Sequence, residues 1–464
     1  LEPRRAGRAT VTLAFANGLT QTVHFQLLAP AAALVRQYGV LNSRKAWLSA
    51  NASDPWRRGP AFMGYDASRG GSALLEEPRV FMGGLSDEAG AAAPLAMAMK
   101  QLGQPAKDEV AKLEAYVHET VWAGPRGDGK TNERRHFLQG ADYSVRASML
   151  YWSDELDGQP ERMQAASPAL WTACHKCWPK CYWMHCWSEK RSLESWRSYN
   201  YPHVAAVYWS LYRLARFYDP PLATRASWQW YLTQAARTAA AMWKFGGKGR
   251  DTSQWGLMVG SVFALVLRDA EAEGLAAEAA PLREMVERRM AKWLKMPFPY
   301  GSEFPWDSTG HEEINTWLLW HGHHAAANKT VGAILAYSSY VPHWAHCGSA
   351  RRYWDFTING KTQWGNEREF HHYGSTLNAI PLFDHFRAYP QRAHLLLLGS
   401  CALLGHLTNI DESGAASMAW HGDPGLLRRD EYSGDYGVGF YGYWRSAGAY
   451  LACVPPHGWV CTYC

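Results

Sequence analysis

No stretch of about eighteen consecutive apolar residues occurs in the sequence, so no segment is expected to cross a membrane as a helix. Nor is there a block of five or six Lys and Arg: 47 basic residues against 42 acidic ones give a net charge of +5 spread along the chain. That excludes nucleic-acid binding through a basic patch, while a local positive field over an acidic sugar stays open. The start, LEPRRAGRATVTLAFANG, lacks a charged region leading into an apolar one, so any export signal is expected to lie outside this sequence. GxSxG, GxxxxGK[ST] and HExxH are absent, as is a GxGxxG opening a helix, which argues against a nucleophile elbow, a phosphate loop, a zincin and a dinucleotide fold.

What the chain has in excess is aromatic surface: 24 Trp, 24 Tyr and 15 Phe in 464 residues. Much of it must be core, because these side chains bury large areas, but a surplus of this size also suits a sugar-binding cleft. Nine cysteines leave one unpaired however they combine. Cys174, Cys177, Cys181 and Cys186, with His175 and His185 between them, read either as two disulfides or as a metal site, and Cys461 with Cys464 is a second CxxC. No cofactor is expected, with a structural divalent metal left open. The triplets at Asn51 and Asn328 match glycosylation acceptors and lean towards secretion, so the expected location is extracellular.

Taken in order, residues 11–28 alternate around Asn17-Gly18, a hairpin signal that suggests a β-domain remnant over residues 1–30. A helix is expected near residues 31–40, within a Pro- and Gly-rich rim or linker segment spanning 31–84. Helical periodicity then recurs from residue 86 to residue 407, punctuated by Gly and Pro, around a Trp- and Cys-rich insert near 155–192. About ten helices joined by alternately short and long loops read as antiparallel hairpins, which gather their long loops at one end when they close into a ring. The Gly- and Tyr-rich run 432–460 reads as strand-like, a small C-terminal β element.

The densest chemistry lies in residues 301–322, GSEFPWDSTGHEEINTWLLWHG, with Glu303, Asp307, Glu312 and Glu313 beside Trp306, Trp317 and Trp320. Indole faces cover the apolar side of sugar rings, and paired carboxyls do acid/base work on glycosidic bonds. Thr309-Gly-His-Glu312 equally matches a capping box, which would make Glu312 a helix cap.

Several blocks carry a resemblance: SDEAGAAAPLAMAMKQLG (86–103), YNYPHVAAVYWSLYRLAR (199–216), GSEFPWDSTGHEE (301–313), GSARRYWDFTINGK (348–361), EFHHYGSTLNAIPL (369–382), TNIDESGAAS (408–417) and YSGDYGVGFYGY (432–443). Together they resemble a family of secreted fungal and bacterial proteins catalogued as a domain of unknown function, from about residue 30 to the C-terminus but not across 155–192. The resemblance implies a β-sandwich leading into an α/α toroid, as in glycoside hydrolases and polysaccharide lyases. The expected fold is therefore mainly α, a six-hairpin-like toroid over residues 85–464. The resemblance transfers no catalytic residue.

Two chemistries follow from the residues. Hydrolysis needs a carboxylic acid and a carboxylate, and the candidates are Glu303 or Asp307 with Glu313 or Asp435. Elimination on a uronate needs a clamp for the carboxylate, a base and an acid; Arg351 and Arg352 supply the first, and His203, His371 and Tyr373 the others. Tyr201, Trp306, Tyr353, Trp354, His372 and Tyr436 join the arginines as candidate substrate contacts. Hydrolysis of a polysaccharide or oligosaccharide is the first expectation, elimination the second and non-catalytic glycan binding the third. Neither nucleic acid nor membrane is expected as a partner, and oligomeric state is not legible.

Overall fold

The computed structural model describes residues 7–27, 29–50, 57–63, 65–66, 71–72, 87–125, 127, 137–148, 189–247, 252–298, 301, 308–340, 347–350, 372–407, 410–411, 413–416, 436–446, 451–454 and 458–461. It opens with the antiparallel hairpin β1 (Gly7–Ala14) and β2 (Thr20–Leu27). At its turn the Asn17 side chain accepts from the Leu19 N–H at 3.1 Å and Gly18 takes φ +82°, a value glycine adopts without penalty. Three short pairs complete the β content of the described residues: β3 (Trp47–Leu48) with β4 (Ala61–Phe62), β5 (Tyr65–Asp66) with β6 (Gly71–Ser72), and the C-terminal β7 (Leu451–Val454) with β8 (Gly458–Cys461).

Everything else of size is helical. The chain runs through α1 (Ala31–Arg44), α2 (Asp87–Gly103), α3 (Lys107–Tyr116), α4 (Asn200–Arg216), α5 (Trp228–Phe245) and α6 (Val262–Ala272). It continues through α7 (Ala276–Trp293), α8 (His311–Trp320), α9 (His324–Tyr337), α10 (His372–Ala388), α11 (Ala393–Leu407) and α12 (Tyr436–Ser446). The even-numbered helices close a ring: α2 packs on α4, α4 on α6, α6 on α8, α8 on α10, α10 on α12, and α12 back on α2. The odd-numbered helices lie outside, each packed on the ring helix that it joins or adjoins. The mainly α, six-hairpin toroid expected from the sequence is this arrangement.

Burial follows the two layers. In outer helix α7 the buried positions are Ala279, Leu282, Met285, Val286, Arg289, Met290 and Trp293, a single stripe at helical spacing. In ring helix α4 every residue from Asn200 to Tyr212 is buried, as a helix covered on all sides requires. Local signals set the ends: the Ser227 hydroxyl accepts from the Trp230 N–H at 3.2 Å to cap α5, and Pro202 sits in the first turn of α4, where a missing N–H costs nothing. Helix α1, from the segment read as rim or linker, packs Tyr38 against Phe440 of α12 with tilted rings whose centroids are 4.6 Å apart.

Three sequence expectations are overturned. Residues 436–446 form helix α12 rather than a strand, and the β hairpin expected there begins only at Leu451. Within α12, Gly437, Gly439 and Gly442 do spell GxGxxG at a helix opening, contrary to the sequence reading, and Gly439 and Gly442 serve close packing, on His406 and Thr376. A Cβ at Gly442 would stand 2.5 Å from the Thr376 backbone, so the glycine lets α12 and α10 touch main chain to main chain. The third is the capping box: α8 is capped by Gly310 at φ +79° with no side-chain cap bond.

Candidate functional site

Each outer helix reverses the chain between two ring helices, so the ring helices run parallel and present their N-termini at one end. At that end lie Tyr201 and His203 of α4, Glu313 of α8, His372 and Tyr373 of α10, and Tyr436 of α12. Six of the fifteen residues nominated from the sequence therefore share one end of the ring by helix polarity. Helix N-termini also offer unpaired N–H groups and partial positive charge, a setting suited to carboxylates.

The described members of this set are anchors. Tyr201 is fully buried and its hydroxyl donates to the Ser195 carbonyl at 2.9 Å; burial pushes its ionisation well above the ordinary range. His203 is fully buried with Nδ1 on the Tyr199 carbonyl, and desolvation lowers it to about 4, so it is neutral near pH 7. Glu313, 0% exposed, is gripped by both terminal nitrogens of the equally buried Arg289, the Nη2 to Oε2 contact being 2.7 Å, and it accepts from the Leu257 N–H at 2.8 Å. Arg289 also donates to the Trp255 carbonyl at 2.6 Å. This places Glu313 as a brace between α8, α7 and the 255–261 loop, with no lone pair turned to a substrate.

Its neighbour behaves in the opposite way. Glu312 is also 0% exposed, yet neither carboxyl oxygen has a hydrogen-bond partner among the described residues. Burial first and the charge of Glu313 second raise its ionisation well above the ordinary carboxylate range; the nearby N–H groups of Val259, Glu312 and Glu313 pull the other way. Glu312 thus holds its proton more tightly than an ordinary carboxyl. Val259, beside it, holds φ +65°, a left-handed conformation that strains a β-branched residue. Below this acid the Ser261 hydroxyl meets the Tyr441 hydroxyl of α12 at 2.8 Å. Tyr441 is raised by burial above all, with Glu312 and Glu313 adding to it.

A polar seam links this junction to the next ring helix. Asn378 of α10 donates to the Ser308 carbonyl at 3.0 Å and accepts from the Tyr337 hydroxyl at 3.0 Å. A Cβ at Gly374 would meet the Ser308 hydroxyl at 2.6 Å, so the first turn of α10 sits directly on the entry to α8. Among the described residues no three His, Cys, Asp or Glu side chains gather as a metal-ligand set.

The family model assigned to this sequence matches residues 1–463 and is described as a family of unknown function, DUF5695. The chain belongs to that family. The match includes the N-terminal hairpin and the Trp- and Cys-rich insert, where the sequence resemblance had stopped. No curated protein matches the DUF5695 chain. A solved structure named Polysaccharide Lyase BACCELL_00875 is similar in fold, with TM-score 0.63 at 14% identity over 95% of this chain. The chain spans 56% of that protein's length.

Of the remaining nominated residues, Glu303, Trp306, Asp307, Arg351, Arg352, Tyr353, Trp354, His371 and Asp435 lie outside the described residues. His372, Tyr373 and Tyr436 are described only as helix-opening backbone. Sequence reading missed Ser261 and Tyr441, which face each other across 180 positions and carry no shared motif. It also took Glu312 for a cap, since Thr309 and Glu312 have the right spacing and only the left-handed Gly310 shows that the box is not formed.

Proposed function

We propose that this DUF5695 chain is a carbohydrate-active enzyme that cleaves a uronate-containing polysaccharide by elimination, acting outside the cell. The observation that carries the choice over hydrolysis is the burial of Glu313 in its clamp with Arg289, which takes the helix-borne member out of the candidate carboxylate pair. The fold shared with a protein named as a polysaccharide lyase supports the same choice, and the disulfide between Cys347 and Cys401 supports an oxidising compartment.

In this reading Arg351 and Arg352 neutralise the uronate carboxylate, which acidifies the adjacent C–H. His371 or Tyr373 takes that proton. The freed electron pair forms a carbon–carbon double bond as the neighbouring glycosidic C–O bond breaks, and the leaving oxygen receives a proton from an acid. Incubation with uronate polysaccharides is expected to raise near-ultraviolet absorbance as the conjugated product accumulates. New reducing ends without that rise would point to hydrolysis, the second reading, which the raised ionisation of Glu312 favours by suiting it to a general acid. Tight glycan binding with no product at all would leave a binding protein.

A further inference from the structure

At the end of the ring opposite the nominated site, a cavity of about 280 Å³ opens between α2, α4, α6 and α12. Its floor is Tyr441, and its walls carry Trp209 and Arg213 of α4, Arg268 of α6, and Trp444 and Arg445 of α12. All of these wall residues fall in the second halves of their helices, as parallel ring helices demand.

The cations are only partly answered. Asp269 is shared by Arg268, at 2.8 Å, by Arg213, at 3.7 Å, and by the Trp209 indole N–H, at 2.8 Å. Asp384 pairs with Arg387 and stands 4.0 Å from Arg445. Two carboxylates thus face four guanidiniums. The helix dipole explains why Arg213 and Arg445 sit in last turns, since cations are favoured there. It does not explain a cavity between them walled by two indoles. Nor does it explain why two buried donors beside this cavity, Trp444 Nε1 and Arg445 Nε, have no hydrogen-bond partner among the described residues. Buried donors are costly to leave unpaired, and a ligand oxygen would relieve them.

We infer that this cavity binds one anionic sugar unit, its carboxylate held by Arg268 and Arg445 and its ring laid against Trp209 or Trp444. Guanidiniums match carboxylates in a planar fork, and indoles cover the apolar face of a sugar, so the pairing selects a uronate over a neutral hexose. The identity of the ligand rests on the proposed uronate substrate; the site itself is separate from the N-terminal end where cleavage is placed.

The test titrates the intact chain with sodium glucuronate and with glucose at low salt, read by calorimetry and tryptophan fluorescence. Glucuronate is expected to bind with quenching, glucose at least about tenfold more weakly, and added salt to weaken the glucuronate complex. Arg268→Ala and Arg445→Gln are each expected to reduce glucuronate affinity by about tenfold with an unchanged circular dichroism spectrum. Because Arg268 is half exposed, its replacement keeps the test open should Arg445→Gln fail to fold. Equal affinity for glucose and glucuronate, or glucuronate affinity indifferent to Arg268→Ala, overturns the inference. A chain that binds glucuronate through Arg268 yet yields no unsaturated product keeps this inference and overturns elimination; a chain that yields that product but binds without regard to Arg268 does the reverse.

Discussion

At one end of the helical ring, Arg289 and Glu313 lie with no exposure at all, each bonded to the other and to main-chain groups, with only Arg289 Nε lacking a partner among the described residues. At the other end, Arg268 keeps half of its side chain in solvent, and Arg213 and Arg445 reach carboxylates only at 3.7 and 4.0 Å. The same residue type thus does two jobs. A buried guanidinium held by a carboxylate and a carbonyl locks elements together, because leaving that charge unpaired in the interior is expensive. A guanidinium at a cavity wall, incompletely paired, keeps donors to offer. Counting arginines near a cleft therefore says little until each one's exposure and partners are known.

The sharpest way to break this contrast is to remove one arginine from each end. Arg289→Met leaves Glu313 buried without its ion-pair partner, and should cost about 3–5 kcal/mol in urea denaturation. Arg268→Ala should stay within about 0.5 kcal/mol of the parent, as an exposed substitution does. Similar losses at both ends would erase the distinction.

Acid should also strike the N-terminal end first. His203, held at about 4 against an ordinary 6.5, favours the fold in its neutral form. Its contribution is therefore whole above pH 6.5 and drains as pH falls, reaching a loss of about 3 kcal/mol near pH 4. His203→Gln should flatten that acid limb in a melting-temperature series between pH 7 and 4; an unchanged limb would place the sensitivity elsewhere.

Glu312 carries the opposite sign. Its raised ionisation means that the protonated form favours the fold, with stability present at low pH and lost as pH rises past the ordinary carboxylate value. Glu312→Gln should raise the denaturation midpoint at pH 8 and leave it nearly unchanged at pH 4. If the same variant also abolishes product release by hydrolysis, Glu312 is the acid of the second reading. A modest effect belongs between the two ends, where Ser261→Ala removes one hydrogen bond to Tyr441 and should cost about 1 kcal/mol.

Much of the architecture was legible beforehand because helical signals are local. The stripe in α7, the serine before α5 and the proline opening α4 are each read within one or two turns. Helix α12 was misread because its Gly and Tyr residues favour strands or turns, and what makes it a helix is close packing of Gly442 on α10, a tertiary term that overrides local preference. The shared end of the six nominated residues that lie on described helices followed from periodicity and alternation, though no residue's role did.

The sequence by itself determined a mainly helical chain of hairpins, the absence of a long apolar helix and the set of side chains from which a sugar site could be built. Only the tertiary structure decided what adjacent acids become. Glu312 and Glu313 are neighbours in sequence and equally buried, yet Arg289, 24 positions away, reaches Glu313 alone. The acid with the guanidinium is a structural brace, and the acid without it holds its proton more tightly than an ordinary carboxyl. That separation depends on which distant charge arrives within hydrogen-bonding distance, and folding alone sets it.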